Sequence, residues 1–148
     1  MGGPKAKDFF DGLDRPAIVD AIRAAEARSY GEIRVHLHHG AVKDARAEAE
    51  RTFLKLGMDK TVRGSACLVF LAPESRAFAV VGGAGIHAQV GDAFWTEARD
   101  AARARFTEGR FTEGIVEAVA KIGDALARFF PKDGTPDRNE LPDDVSED

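Results

Sequence analysis

The residues best equipped for chemistry fall into three groups. The first is Val80-Val81-Gly82-Gly83-Ala84-Gly85-Ile86-His87, a glycine cluster directly after an apolar run. Glycines gather where the backbone must take conformations a Cβ forbids, or must come close to something else. With Glu32, Asp59 and Asp92 beside it, such a loop offers carboxylates and backbone carbonyls, the hard oxygen ligands that Ca²⁺ or Mg²⁺ prefer. The second group is His36 and His38, followed by His39. Two imidazoles at i, i+2 can hold a transition metal, with His87 the further imidazole that could approach. The third is Arg99, Arg103, Arg105 and Arg110, a possible face for phosphate or an acidic partner. They interleave with Glu97, Asp100 and Glu108, as a solvated face does.

Familiar catalytic patterns are missing or out of context. Gly83-Ala84-Gly85-Ile86-His87-Ala88 fits G-x-G-x-x-A, a dinucleotide fingerprint. It follows a hairpin strand instead of opening a β-α-β unit, and no further strand is predicted after it. There is no G-x-S-x-G elbow and no phosphate-binding Walker loop. Cys67, the single cysteine, excludes an internal disulfide. It lies in Ala66-Cys67-Leu68-Val69-Phe70-Leu71 and reads as a small buried hydrophobe. No set of catalytic residues is identified, and no organic cofactor is indicated.

The elements that must position these groups follow from periodicity. Asp14 can cap a helix running to about Arg28, with Pro16 tolerated in its first turn and Ile18, Val19, Ile22 and Ala25 as the apolar stripe. Glu32 to His38 alternates, so it is a strand with Ile33, Val35 and Leu37 on one face. A helix from about Lys43 to Leu56 ends at Gly57, a natural C-terminal cap. Ala66 to Leu71 is apolar throughout, which suits a strand buried on both faces. Pro73 to Arg76 turns the chain into a third strand, Ala77 to Val81. Asp92 can cap a helix to about Phe106, and a last helix spans about Phe111 to Phe130.

The order α-β-α-β-β-α-α makes the first two strands parallel and the third antiparallel. The expected fold is a three-layer α/β/α sandwich on a small mixed sheet. Chain direction then gathers the starts of strands one and two and the end of strand three on one edge of the sheet. That edge collects Glu32, Asp59, Gly82, Gly83 and Asp92 as candidate metal ligands, with Arg63 as a possible anion contact. A plainer reading has Asp92 capping its helix, Glu32 paired with Arg34 or Arg63, and the glycines only making the turn.

Composition bounds the class. The 148 residues fit one domain with a real core. A net charge of −4 gives no general pull toward nucleic acid. The charge is concentrated at the end, where residues 132–148 carry seven acids against Lys132 and Arg138. The chain thus divides into a domain at 14–131 and an acidic tail at 132–148, expected to be solvated, with Leu141-Pro142 as a possible anchor. No apolar stretch reaches the ~18 residues of a membrane span, and Met1 to Phe10 lacks a secretory core. The expectation is a soluble, cytoplasmic protein.

An ordered set of segments adds to this reading: Ile22-Arg23-Ala24-Ala25-Glu26, Gly31-Glu32-Ile33-Arg34-Val35, Phe53 to Met58, Val90-Gly91-Asp92-Ala93-Phe94-Trp95, Phe106-Thr107-Glu108-Gly109-Arg110-Phe111 and Asn139 to Asp143. Together they resemble the TPM domain family, in its branch of predicted membrane proteins of unknown function. The resemblance implies an α/β/α sandwich. It also associates the fold with divalent metals, notably calcium, and with acid phosphatase activity in a thylakoid-lumen relative. Two departures stand out. Gly64-Ser65-Ala66 replaces the usual Asn-Gly-Val, and Gly82-Gly83 replaces the usual Gly-Asp, removing a carboxylate from the glycine edge. The reading that results is a non-enzymatic module that binds a protein partner, with a weak calcium or magnesium ion at the glycine edge. The competing reading is a metal-dependent phosphatase using Glu32, Asp59 and Asp92, with Arg63 on the phosphate.

Overall fold

The computed structural model describes residues 5–132 and 145–148. Its elements are α1 (Ala6–Asp11), α2 (Arg15–Glu26), β1 (Glu32–Leu37), α3 (Ala45–Lys55), β2 (Ala66–Ala72), β3 (Ala77–Gly82), α4 (Ala84–Phe106), α5 (Phe111–Phe129) and β4 (Val145–Glu147). The sheet runs β3-β2-β1-β4. β1 is parallel to β2 and to β4, while β2 and β3 form an antiparallel hairpin. The fold is therefore the expected mixed α/β sandwich, with one strand more than the three predicted.

Local chemistry sets the element ends. The Asp14 carboxylate accepts from the Ala17 N–H at 3.1 Å and starts α2, as predicted. Asp44 does the same for α3 through the Ala47 N–H, also at 3.1 Å. Gly57 stops that helix with a φ of +73°, where a side chain would be strained.

Two apolar layers hold the sheet. Ile33, Val35, Leu37, Cys67, Val69, Leu71, Phe78 and Val80 share one face, and α1, α2, α4 and α5 pack against it. Leu68, Phe70, Ala79 and Val81 on the other face pack against Ala49, Phe53 and Met58 of α3 and its following turn. Every residue of β2 is buried, as its unbroken apolar run requires. α2 and α5 approach so closely that a Cβ on Gly123 would lie 2.6 Å from the Ala25 Cβ.

Three features depart from the sequence reading. The short helix α1 buries Ala6 and Phe10, extending the folded unit toward the N-terminus. Helix α4 begins at Ala84, not at Asp92. Gly91 interrupts it with φ 75° and ψ 177°, so Asp92 opens only its second half. Third, Val145–Glu147, at the end of the stretch expected to be solvated, joins the sheet. Val35 pairs with Val145, His36 with Ser146 and Leu37 with Glu147. The Asn139 to Asp143 segment and its Leu141-Pro142 anchor lie outside the described residues. Beyond the reach of β4, the edge N–H of Ile33 donates to the Glu26 carboxylate at 2.8 Å.

Candidate functional site

The two ends of the sheet carry different chemistry. The glycine end holds the start of β1, the start of β2 and the end of β3, as chain direction predicts: Glu32 lies beside Ala66, and Cys67 beside Gly82. Its glycines serve backbone packing. The Gly64 carbonyl accepts from the Ile86 N–H at 3.0 Å, and the Ala66 carbonyl from the Gly83 N–H at 2.8 Å. A Cβ on Gly83 would lie 2.7 Å from the Gly64 carbonyl oxygen, and one on Gly85 2.1 Å from that of Arg63. The loop before β2 is thus pressed onto the first turn of α4, with no room for side chains between them. Gly82 makes way for Trp95, whose ring would sit 2.4 Å from an added Cβ.

The candidate ligands at this end are dispersed. Glu32 is buried, whereas Asp59 and Arg63 are exposed. Arg63 stacks over the Tyr30 ring at 4.0 Å, a cation–π contact. Asp92 is exposed, with its carboxylate 3.6 Å from His87 Nε2 and 3.9 Å from Arg46. The Trp95 indole N–H donates to His87 Nδ1 at 2.9 Å. His87 therefore belongs to the glycine end and does not approach His36 and His38.

At the other end, the carboxyl end of β1, three side chains converge. Among the described residues, the one group of three or more His, Cys, Asp or Glu with ligand atoms all within 4.8 Å of each other is His36, His38 and Asp148. Glu32, Asp59 and Asp92 form no such group. The Asp148 carboxylate bridges both imidazoles, with one oxygen 3.0 Å from His36 Nε2 and the other 2.7 Å from His38 Nδ1. His36 Nδ1 shares a 2.7 Å hydrogen bond with Ser146 Oγ. The Phe70 ring backs both histidines, 5.9 Å from His36 and 5.5 Å from His38.

His36 is only 3% exposed, so the pair is not simply a surface feature of the strand. Burial holds His36 below the usual imidazole range, outweighing the opposing pull of Asp148. Burial also pushes Asp148 up, but the hydrogen bonds and charge interactions with His36 and His38 prevail and leave it below the usual carboxylate range. Both shifts thus favour a neutral His36 facing an ionised Asp148.

Sequence reasoning found the His36/His38 pair and missed Asp148. The arginine face behaves as predicted: Arg105 pairs with Glu117 and Glu108, Arg110 with Glu113 and Arg99 with Asp100.

The chain belongs to the TPM domain family, whose model matches residues 5–125. It is similar to the BA42 protein of the psychrophilic bacterium Bizionia argentinensis, solved by NMR. The two share 40% identity over 90% of this chain and 92% of that one, with a TM-score of 0.81. The N-terminal domain of the cg2496 protein from Corynebacterium glutamicum shares the fold at 20% identity, with a TM-score of 0.52 over 84% of this chain and 74% of that one. No curated protein matches the sequence. Among the described residues no helix is long and apolar enough to cross a membrane.

Proposed function

We propose that the chain is a non-catalytic TPM domain that binds a protein partner through the loop at the glycine end, with a weak calcium or magnesium contact there. The observation that supports this most is how residues 58–65 are mounted. Met58 and Ser65 are buried, and Gly64 lies backbone to backbone against Gly83 and Gly85. Between these anchors Val62 is 83% exposed, flanked by exposed Lys60 and Arg63. A fixed mount lowers the ordering cost of binding, and an apolar centre with a charged rim suits a contact surface.

A photo-crosslinking residue at position 62 tests this in cells, with position 121 on exposed Lys121 as control. The expected result is a discrete adduct from position 62 alone. Absence of any adduct, or the same adducts from both positions, refutes the reading. The cation is tested by titrating calcium into ¹⁵N-labelled protein. Saturable amide shifts confined to residues 31–32, 59–65 and 82–92 support it, and their absence at millimolar calcium removes the ion.

The phosphatase reading is less well supported. Metal-assisted phosphoester hydrolysis needs carboxylates that fix the ion and activate water. Glu32, Asp59 and Asp92 do not converge, and Asp92 faces Arg46 and His87. Hydrolysis that persists when all three are neutralised would come from a contaminant.

A further inference from the structure

The cluster at the carboxyl end of β1 has no part in the interaction reading. Its cost is evident from its surroundings. His36 sits on the same sheet face as Leu68, Phe70 and Val81, where an aliphatic side chain would pack without a polar partner. The chain instead places an imidazole there, a second imidazole two residues on, and a carboxylate that reaches both. In open α/β sheets the carboxyl ends of the strands are also where ligands collect.

We propose that His36, His38 and Asp148 form a binding site for a borderline divalent transition-metal ion of the zinc class. Two imidazole nitrogens and one carboxylate oxygen are ligands that zinc accepts together, leaving a further position for water. Calcium, which takes hard oxygen ligands, is a poor match to this set.

The distances suit the exchange of a proton for a metal. In a tetrahedral zinc site, bonds of ~2.0–2.2 Å set neighbouring ligand atoms about 3.3 Å apart. The Asp148 oxygens stand 3.0 Å and 2.7 Å from the two ring nitrogens. Inserting the ion opens these contacts by about 0.3 and 0.6 Å and swings the carboxylate so that one oxygen serves both rings, all ligand atoms already lying within 4.8 Å of one another.

Ser146 supplies the outer support. Its hydroxyl can donate to His36 Nδ1 or accept from it. When it accepts, the ring proton resides on Nδ1, and Nε2 presents its lone pair to the ion. Phe70 fixes the back of both rings. The ion approaches from the solvent side, because the His38 and Asp148 side chains are 21% and 39% exposed while that of His36 is 4%.

The site also ties β1 to the β4 segment across 110 residues of chain. Asp148 is held in place by β4, where its N–H donates to the Leu37 carbonyl at 3.1 Å and its carbonyl accepts from the His39 N–H at 3.2 Å. A bound ion adds a further connection between the β4 segment and β1. Its binding free energy then stabilises that strand pairing.

The test is calorimetric titration of chelator-treated full-length protein with zinc chloride alone, backed by the visible d–d bands of cobalt(II). The expected result is one ion per chain and a tetrahedral cobalt spectrum. His38→Gln and Asp148→Asn, both at partly exposed side chains, should abolish the site without unfolding the protein. Ser146→Ala should weaken it by about tenfold or more, and His87→Gln, remote from the cluster, should leave it unchanged. Circular dichroism checks the fold of each variant. The proposal is overturned if the wild type fails to bind one equivalent of zinc. It is equally overturned if folded His38→Gln and Asp148→Asn bind as the wild type does, or if His87→Gln loses the ion instead.

Discussion

Gly85→Ala separates a glycine cluster that packs backbones from one that merely makes a turn. The new Cβ would lie 2.1 Å from the Arg63 carbonyl oxygen and 3.0 Å from that of Gly64. Both atoms are backbone, so no rotamer change relieves the contact. The loop before β2 must retreat by about 1 Å to reach an ordinary separation, and overpacking of this kind costs about 1–3 kcal/mol. That retreat stretches the 3.0 Å hydrogen bond from the Ile86 N–H to the Gly64 carbonyl, a loss of about 1 kcal/mol. Against this, alanine is better than glycine in a helix by about 0.8–1 kcal/mol. The net is a destabilisation of about 2 kcal/mol, or a fall of roughly 4–8 °C in the thermal midpoint for a chain of this size. Gly12→Ala is the control. Gly12 has a φ of −82°, and its Cβ would meet nothing nearer than 3.5 Å, so the change should be neutral or slightly stabilising. Urea unfolding of both variants gives the comparison, with the m-value as a check on two-state behaviour. If Gly85→Ala destabilises no more than Gly12→Ala, the close approach does not govern this end of the sheet.

Two further predictions concern single side chains. Burial pushes the Cys67 thiol far above its usual range. A thiol-specific reagent should leave the native protein unlabelled at mildly alkaline pH and react fully in denaturant; rapid native labelling would contradict the buried assignment. Glu147 is held below its usual carboxylate range by hydrogen bonds, first from His39 and then from Arg15. Its contribution to stability is therefore fully present above the ordinary Glu value of 4.5 and lost as pH falls through the lowered native value. In metal-free protein, acid should loosen β4 before the core unfolds, as seen in amide exchange of residues 145–147, and Glu147→Gln should flatten that dependence. An unchanged acid response in the variant would remove Glu147 as its source.

Elements whose pattern is internal to their own segment were legible in the sequence. The apolar stripe of α2, the alternation of β1 and the unbroken run of β2 each depend on neighbours within a few residues, and each forms where the pattern puts it. Elements that exist because of distant chain were not. The first turn of α4 is rich in glycine and alanine and reads as a loop; it is helical where the Gly64 carbonyl and the loop before β2 receive it. β4 is three residues long, too short for any periodicity, and is a strand only because β1 offers an unpaired edge there. Asp148 shared its fate: it lies 110 residues from His38, in a stretch whose acidity suggests solvation. The isolated Val145 among acids, facing the core at 9% exposure, was the available signal and a weak one.

The contrast between the two ends of the sheet bears on how function is read from such chains. Glycines attract attention as site markers, yet close backbone contacts account for Gly83 and Gly85, and Gly64 adds a φ of +63° to its own close contact. His36 is the opposite case. Packing against Phe70 does not by itself call for an imidazole at 3% exposure, on a face where β1 also buries Glu32 and Arg34, and burying one without partners would destabilise the fold. The chain retains it with a serine on one ring nitrogen and a carboxylate at the other. A buried polar group that local packing does not explain is the stronger pointer to chemistry, because natural folds depart from the most stable choice mainly where a site requires it.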